Sequence, residues 1–497
     1  MSSIQVRCGG KTCAVTVQDG ETLLPALRRA GFSLPAACGG RGRCGKCRVQ
    51  LNGAARLACK AAVQDGDVVT LPDSAGGSIL TETVDIPAAG TGERGCAAAV
   101  DLGTTTVAIR LYDLSDGREL RTVSAWNVQR SYGADVISRI QHTLDAPEGL
   151  AELSGCIRAQ VTELLSGCLA DAGQPVSALR RVMLAGNTVM QHLFAGLPVA
   201  SIAAAPFAPL TLFNGDTGDR LLGAPLYYAP CVAGYVGGDI TAGLLASGLW
   251  QKPGLHLFLD LGTNGEMALG GASGFTCCAV ASGPAFEGAG ITCGMPALDG
   301  AVSRVRYDRG LLYDVIGAVP PRGLCGSGLI DLTAVLLEQG CIDEGGRLLP
   351  PEETPAHMWK YIRPDGLGNG VFHLAEGLRL TAPDVRALQL AKAAVAAGIE
   401  VLLRQRGVSA ADVEGVYIAG GLGSYIDPRS AMAIGMLPRL EPDRLHCLGN
   451  TSLAGASMAA LDDARRRRLS DAAKSCRYIE LSGLPEFVQA FTKNMPF

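Results

Sequence analysis

CAAAVDLGTTTVAIRLYDL (96–114) and LHLFLDLGTNGEMALGG (255–271) are two versions of one pattern: an apolar strand, then Asp-Leu-Gly-Thr, then a second strand. A unit that recurs within a chain is the mark of duplicated architecture, so two lobes of like topology are expected, each supplying one such turn. In the first turn Gly103 lets backbone amides face an anion, and the hydroxyls of Thr104, Thr105 and Thr106 add donors. Asp101 repels phosphate and would act instead through Mg2+ and its waters, since hard cations take carboxylate oxygens. Asp260, Gly262, Thr263 and Asn264 form the second turn. A third glycine turn, VYIAGGLGSYID (416–427), places Gly420, Gly421 and Gly423 at a strand end, where an adenosine can pack on bare backbone. One DxGT turn alone is an ordinary strand–turn–strand connection. Two of them, followed in this order by GGxG, read as a nucleotide site whose carboxylates and amides close on one polyphosphate.

Softer candidates lie around these turns. Val385, Leu388, Ala391, Val395, Ile399 and Leu402 have helical spacing, so a helix is expected over 384–406, closed by Gly407. Lys392 on that helix either touches the nucleotide or is solvated. Gly237-Gly238-Asp239-Ile240-Thr241 opens an apolar helical stretch. Asp239 is therefore either an N-cap or the residue that positions a hydrolytic water. Asn187, in LAGNTVMQHL (184–193), either links the lobes or caps the helix after it.

Ahead of the first lobe the texture differs. IQVRCGGKTCAVTV (4–17) reads as two short strands around a Gly-Gly turn, and Leu23, Leu24, Leu27 and Ala30 as a helical stripe ended by Gly31. With further strands in CRVQL (47–51) and DVVTL (67–71), this is a small β-grasp domain ending near Pro72. Cys38, Cys44, Cys47 and Cys59 stand in it as C-x5-C-x2-C-x11-C, close to the plant-type spacing in which four thiolates hold a [2Fe–2S] cluster. Glycines at 39, 40, 42 and 45 would bring amides near the bridging sulfurs. Zinc, the competing metal, usually takes two separated C-x2-C knuckles. Residues 73–95, rich in Gly, Ser, Ala and Pro, read as a flexible linker.

Composition narrows the class. The 497 residues, 48% hydrophobic and 18% charged, suit a folded protein of two to four domains. A net charge of −4 with dispersed Lys and Arg gives no footprint for nucleic acid. The basic run at 465–468 is read as a solvated face at the end of a helical segment. No secretory signal or membrane-spanning stretch is visible, so a cytoplasmic location is expected. Seventeen cysteines in such a chain are thiols and metal ligands, and the thirteen outside the cluster are expected as buried small hydrophobes.

The stretches CGGRGRCGKC, VDLGTTTVAIRLYDL, GNTVMQHLFAG, YVGGDITAGLL, LDLGTNGEMAL, SGPAFEGAGI, GLCGSGLIDL and IAGGLGSYIDP occur in this order from residue 38 to 428. A chain so built resembles the reductive activators of corrinoid-dependent methyltransferases. The resemblance implies an α/β multidomain fold. Its parts are a β-grasp [2Fe–2S] ferredoxin domain (1–72), a flexible linker (73–95) and a two-lobed actin-like domain. That domain belongs to the acetate and sugar kinase, Hsp70 and actin superfamily (ASKHA), a duplicated RNase H-like fold, with lobe I at 96–250 and lobe II at 251–497 including a C-terminal return segment. The resemblance further implies that Cys38, Cys44, Cys47 and Cys59 ligate the cluster. Asp101, Thr104, Thr105, Asp260, Thr263, Gly421 and Gly423 would serve ATP and Mg2+. A homodimer is implied, drawing on a low-potential electron donor and reducing the Co(II) corrinoid of a partner protein to Co(I). Larger members carry a middle domain between linker and nucleotide domain; here the linker runs almost directly into the first phosphate strand, so that domain is expected to be missing.

The need for ATP is a matter of magnitude. A plant-type cluster sits near −400 mV, and the resemblance puts the cobalt couple lower still. A deficit of about 180 mV would require about 4 kcal/mol. Rival readings are an ATP-driven electron donor to another low-potential enzyme, a redox-regulated small-metabolite kinase and a chaperone-like switch. The four-cysteine loop argues against the donors that activate 2-hydroxyacyl-CoA dehydratases, which lack a ferredoxin domain.

Overall fold

Every residue of the strand Cys96–Leu102 is buried, as a strand covered on both faces must be, and it lies at the centre of the first lobe's sheet. The computed structural model describes the whole chain except residues 1, 9, 10, 31, 33, 35, 37–39, 43–46, 72–89, 263 and 424, and the elements below are those of the described residues. Contacts divide the chain into two units. The first holds Met1–Gly77, Gly92–Leu212 and Asp216–Tyr228, and the second consists chiefly of Ala229–Phe497.

The N-terminal sheet contains β1 (Ser2–Cys8), β2 (Lys11–Val17), β3 (Arg48–Leu51), β4 (Ala54–Leu57) and β5 (Val68–Thr70), in the order β2-β1-β5-β3-β4. Only β1 and β5 run parallel. The helix Leu23–Arg29 lays Leu23, Leu24 and Leu27 on Ile4, Val6, Val15 and Val69, which is the expected β-grasp.

The first lobe contains β6 (Cys96–Leu102), β7 (Thr106–Asp113), β8 (Glu119–Trp126), β9 (Leu179–Gly186), β10 (Arg220–Leu221) and β11 (Ala224–Tyr228), in the order β10-β11-β9-β6-β7-β8. The second unit begins its sheet with β12 (His256–Leu261), β13 (Gly265–Gly271) and β14 (Gly274–Val280). Two small sheets follow, β15 (Ala301–Tyr307), β16 (Leu311–Val315) and β17 (Gly323–Leu324), then β18 (Ile362–Pro364), β19 (Gly370–Ala375) and β20 (Leu378–Leu380). The main sheet is completed by β21 (Gly415–Ala419), β22 (Leu445–Gly449) and β23 (Cys476–Tyr478), in the order β22-β21-β12-β13-β14-β23. The cores β11-β9-β6-β7-β8 and β22-β21-β12-β13-β14 are the same sheet twice. Each is an antiparallel meander whose first strand also pairs in parallel with the fourth, and the fourth with the fifth. This is the duplicated RNase H-like, actin-like topology that the repeated turn announced.

Particular expectations fare differently. The long helix is Ala382–Arg406, closed by Gly407 in the left-handed conformation. The helix Gly238–Ala246, assigned to lobe I by a boundary at 250, packs with the second unit. Val236, Ile240 and Leu244 share a core with Phe258, Ala268 and Phe275, and contacts put Ala229 onward in the second unit. The basic run is not at a helix end. It falls in the first turns of Asp463–Lys474, where Arg465 and Arg466 pair with Asp462 and Asp463 and Arg468 lies over the Trp250 ring. Of the thirteen cysteines outside the cluster set, seven are buried, but Cys13 and Cys447 are exposed. Of the linker at 73–95, residues 73–89 lie outside the described residues, and Glu93 and Arg94 are bonded to Arg181 and Arg180. No helix among those described is long and apolar enough to cross a membrane.

Candidate functional site

In the first lobe, β6 and β7 pair out to Leu102 and Val107, so Gly103, Thr104 and Thr105 form the turn, and Thr106 opens β7. Asp101 is buried at the strand end. Three consecutive carbonyls of the turn are held by the protein. Asn127 Nδ2 donates to Gly103 O at 2.8 Å, the Arg139 guanidinium donates to Thr104 O, and Asn127 N donates to Thr105 O at 3.0 Å. In a trans peptide each carbonyl opposes the next N–H, so the amides of Thr104, Thr105 and Thr106 turn the other way. That is how an anion cradle is built. Arg139 is fully buried and also donates to Gly133 O and Gln129 Oε1. Asn187 caps Thr188–Ala195 through Met190 N at 3.0 Å, as expected, and its Nδ2 donates to Thr104 Oγ1 at 3.0 Å. Its contacts here are with its own lobe.

The second turn is built with opposite chemistry. Asp260 and Glu266 face each other across the β12–β13 ladder. Gly262 N donates to Asn264 O at 2.9 Å and Ser282 Oγ to Gly262 O at 3.3 Å; Thr263 lies outside the described residues. Burial first, then the charges of Asp239 and Asp260, hold the Glu266 carboxyl well above the usual carboxylate range, against a hydrogen bond from Asn264. Carboxyls from three elements thus act on one another. Asp239 is not an N-cap: Gly237 holds that position, and Asp239 sits in the first turn, accepting from Ile240 N at 2.9 Å. Among the described residues no three His, Cys, Asp or Glu side chains are grouped as a bare metal site.

The third turn lies beside the second, because β21 runs parallel to β12 with Ala419 opposite Asp260. Gly420 has φ +82°, and a Cβ there would come within 2.4 Å of Asp260 Oδ1, so only glycine lets this turn close on the carboxylate. A Cβ at Gly421 would meet open space, whereas one at Gly423 would strike the Ile418 carbonyl. Gly421 is the bare surface, then, and Gly423 is there for packing. Lys392 is neither solvated nor turned to these glycines. It is buried, donates to Pro496 O and lies 5.2 Å from the Phe497 ring centre.

In the β-grasp unit, Cys47 is buried and Cys59 half-buried; Cys38 and Cys44 lie outside the described residues. Gly40 has φ +92°, and its Cβ position is 3.3 Å from Leu24 Cδ2 and 3.9 Å from Cys59 Cβ. Gly40 therefore lies against Leu24 and close to Cys59, the fourth cysteine. Soft thiol donors beside a close-lying glycine fit a [2Fe–2S] cluster.

Asn127, Arg139 and Glu266 escaped the sequence reading. For Glu266 a signal existed, an acid opening the otherwise apolar strand GEMALGG (265–271).

A cysteine-bearing β-grasp domain ahead of a duplicated RNase H-like fold defines an iron–sulfur protein with an actin-like nucleotide-binding domain. Family models match in that order. The 2Fe-2S iron-sulfur cluster binding domain covers 6–98, the RACo middle region 96–252, and the C-terminal ASKHA domain of RACo 254–497. The corrinoid activation enzyme RamQ of Eubacterium limosum is 34% identical over 415 residues, 80% of this chain and 70% of that protein. The [Co(II) methylated amine-specific corrinoid protein] reductase of Methanosarcina barkeri is 24% identical over 423 residues, 76% and 72% of the two chains. A solved reductive activator for corrinoid, iron–sulfur protein superposes with a TM-score of 0.73 at 27% identity, covering 99% of this chain and 98% of that one. The chain belongs to the family of RACo-type corrinoid activators. The expected loss of the middle domain is overturned, because the middle-region model matches the very residues read as the first lobe.

Proposed function

We propose that this protein uses ATP to drive one-electron reduction of the Co(II) corrinoid of a partner protein to Co(I), activating a methyltransferase system. The observation that carries the reading is the order of parts in one chain. A four-cysteine β-grasp domain precedes two phosphate turns on a duplicated fold, and the chain matches a reductive activator almost end to end. When bound by Cys38, Cys44, Cys47 and Cys59, the cluster supplies one-electron carriage from a low-potential donor.

The other tasks fall to the chain's own groups. Amides and hydroxyls at Thr104, Thr105 and Thr106 bind phosphate, joined by Gly262, Thr263 and Asn264. Asp101 and Asp260 orient the waters of Mg2+. Asp239, in a first helical turn beside Glu266, orients the attacking water. Gly421 offers the adenosine a bare surface. The proposed division is 1–72, a 73–95 linker, a first lobe from 96 and a second from 229, in a cytoplasmic homodimer.

The test mixes the anaerobically prepared protein, a reductant, ATP and a Co(II) corrinoid protein, and follows Co(I) absorbance. Co(I) should form with ATP and stop at the small equilibrium fraction without it. Equal Co(I) with and without nucleotide, or a phosphorylated small metabolite as the product, would overturn the reading.

A further inference from the structure

The β-grasp domain and the first lobe belong to one unit, and the half-buried Arg28 reaches from one to the other. The helix Leu23–Arg29 is anchored beside the fourth cysteine by Leu24 N to Ala58 O at 3.0 Å and Leu23 N to Ala61 O at 2.9 Å. Leu24 shares a buried core with Cys47 and Ala58, and Arg28 lies one turn further along the same face. The guanidinium carbon of Arg28 is 4.7 Å from the ring centre of Tyr132, in the first lobe. Its Nε and Nη2 are buried and make no hydrogen bond. Burial lowers the affinity of Arg28 for its proton, while Tyr132, Glu152, Cys47 and Cys59 raise it, so the cation lies within the field of two cluster cysteines. Close by, Arg41 of the cysteine loop pairs with Asp145 of the first lobe at 2.8 Å.

Tyr132 closes the short 3-10 helix Val128–Ser131, and the same helix begins at Asn127, whose side chain holds Gly103 of the phosphate turn. Gln129, within it, accepts from Arg139, which holds Thr104. One rigid turn therefore touches the phosphate cradle at its start and the cation beside the cysteines at its end.

We propose that Arg28 is a positioning residue for electron donation, held by Tyr132, and that the 127–132 turn couples nucleotide binding at Gly103–Thr105 to the cluster's reduction potential. Each electron accepted adds a negative charge, which a nearby cation stabilises, so the docked Arg28 favours the reduced state. A nucleotide that moves the turn moves Tyr132, and with it that cation. The coupling is reciprocal: the reduced and oxidised protein bind nucleotide with different affinity.

The inference rests on the reading that the four cysteines hold the cluster, but its test needs neither a corrinoid partner nor turnover. Iron and sulfide are measured first, then the midpoint potential by mediated titration, with and without a non-hydrolysable ATP analogue. At the parent's midpoint, R28Q should show a reduced-to-oxidised ratio about tenfold lower, a shift of about 59 mV downward. Y132A, outside the cysteine domain, should shift the same way and lose the analogue's effect, while Y132F should keep both. An R28Q or Y132A potential equal to the parent's would overturn the proposal. So would a parent potential that the analogue leaves unmoved, or an analogue effect surviving in Y132A. If R28Q fails to retain its cluster, the Y132A and Y132F pair decides the matter alone.

Discussion

The two phosphate turns share a topology and the Asp-Leu-Gly-Thr sequence, but the side chains around them differ. The first is braced by hydrogen-bond donors, with Asn127, Arg139 and Asn187 gripping its carbonyls and a hydroxyl from within. The second is lined by acid, with Asp260 opposite Glu266 and Asp239 acting on the pair. The same strand–turn–strand occurs twice, with different side chains around each turn. A turn with its carbonyls tied down presents amides to an anion. A turn ringed by carboxylates orders a hydrated cation and a water. Identity of fold did not carry identity of chemistry, because chemistry resides in the side chains around the turn.

Breaking the comparison at its strongest point means removing either strand-end carboxylate. Asp101→Asn and Asp260→Asn should each lower Mg2+-dependent ATP turnover roughly a hundredfold or more, with iron content unchanged by assay. If both variants hydrolyse ATP like the parent, neither turn serves phosphate. A subtler cut separates water from cation. Asp239→Asn should reduce kcat at least tenfold while calorimetry gives an unaltered nucleotide dissociation constant; weakened binding with kcat preserved would return Asp239 to a structural role.

The donor side is sharpened by Arg139→Met. It leaves the Thr104 carbonyl without its buried partner, at a cost of about 3 kcal/mol in chemical denaturation and about tenfold in nucleotide affinity. Asn187→Ala should cost less, about 1 kcal/mol, chiefly as a lost cap. If Arg139→Met loses stability and keeps affinity, the bracing of the first turn is irrelevant to its ligand.

Lys392 serves as the control outside both turns. Lys392→Met should leave nucleotide affinity unchanged, and its effect should appear in stability instead. Burial lowers the Lys392 pKa from 10.5 to about 8, so the folded state binds the proton less tightly than the unfolded chain. The parent therefore gains stability as pH rises from 8 to 10.5, by at most about 3 kcal/mol. Methionine has no such gain. The variant should compare best with the parent near pH 7 and worst above pH 10.5, where it lacks only the bond to Pro496; parallel pH profiles would show that this lysine is not strained by burial.

The residues missed by reading the chain have a common character. Arg139 reaches Thr104 across 35 positions and Asn187 across 83, and no local pattern joins them to the turn. Within its own helix Arg139 resembles any solvent-facing arginine until the fold buries it completely. Asp239 misled in the opposite direction, since a Gly-Gly-Asp start looks like a cap. The helix begins one residue earlier, at Gly238, and the cap is Gly237.

By itself the sequence determined whatever a few consecutive residues can encode. That covers the two Asp-Leu-Gly-Thr turns, the late glycine turn at a strand end, the cysteine spacing, the closure of the long helix at Gly407 and the order of the domains. Each depends on local backbone preference or short ligand spacing, and those survive without knowledge of the fold. Tertiary structure alone decided which side chains hold each turn, that Lys392 binds the C-terminal residues, that the helix Gly238–Ala246 joins the second sheet, and that Arg28 meets Tyr132. Those contacts join residues far apart in the chain. Their partners are chosen by sheet order and by the exclusion of water from the core, and neither is written at any single position.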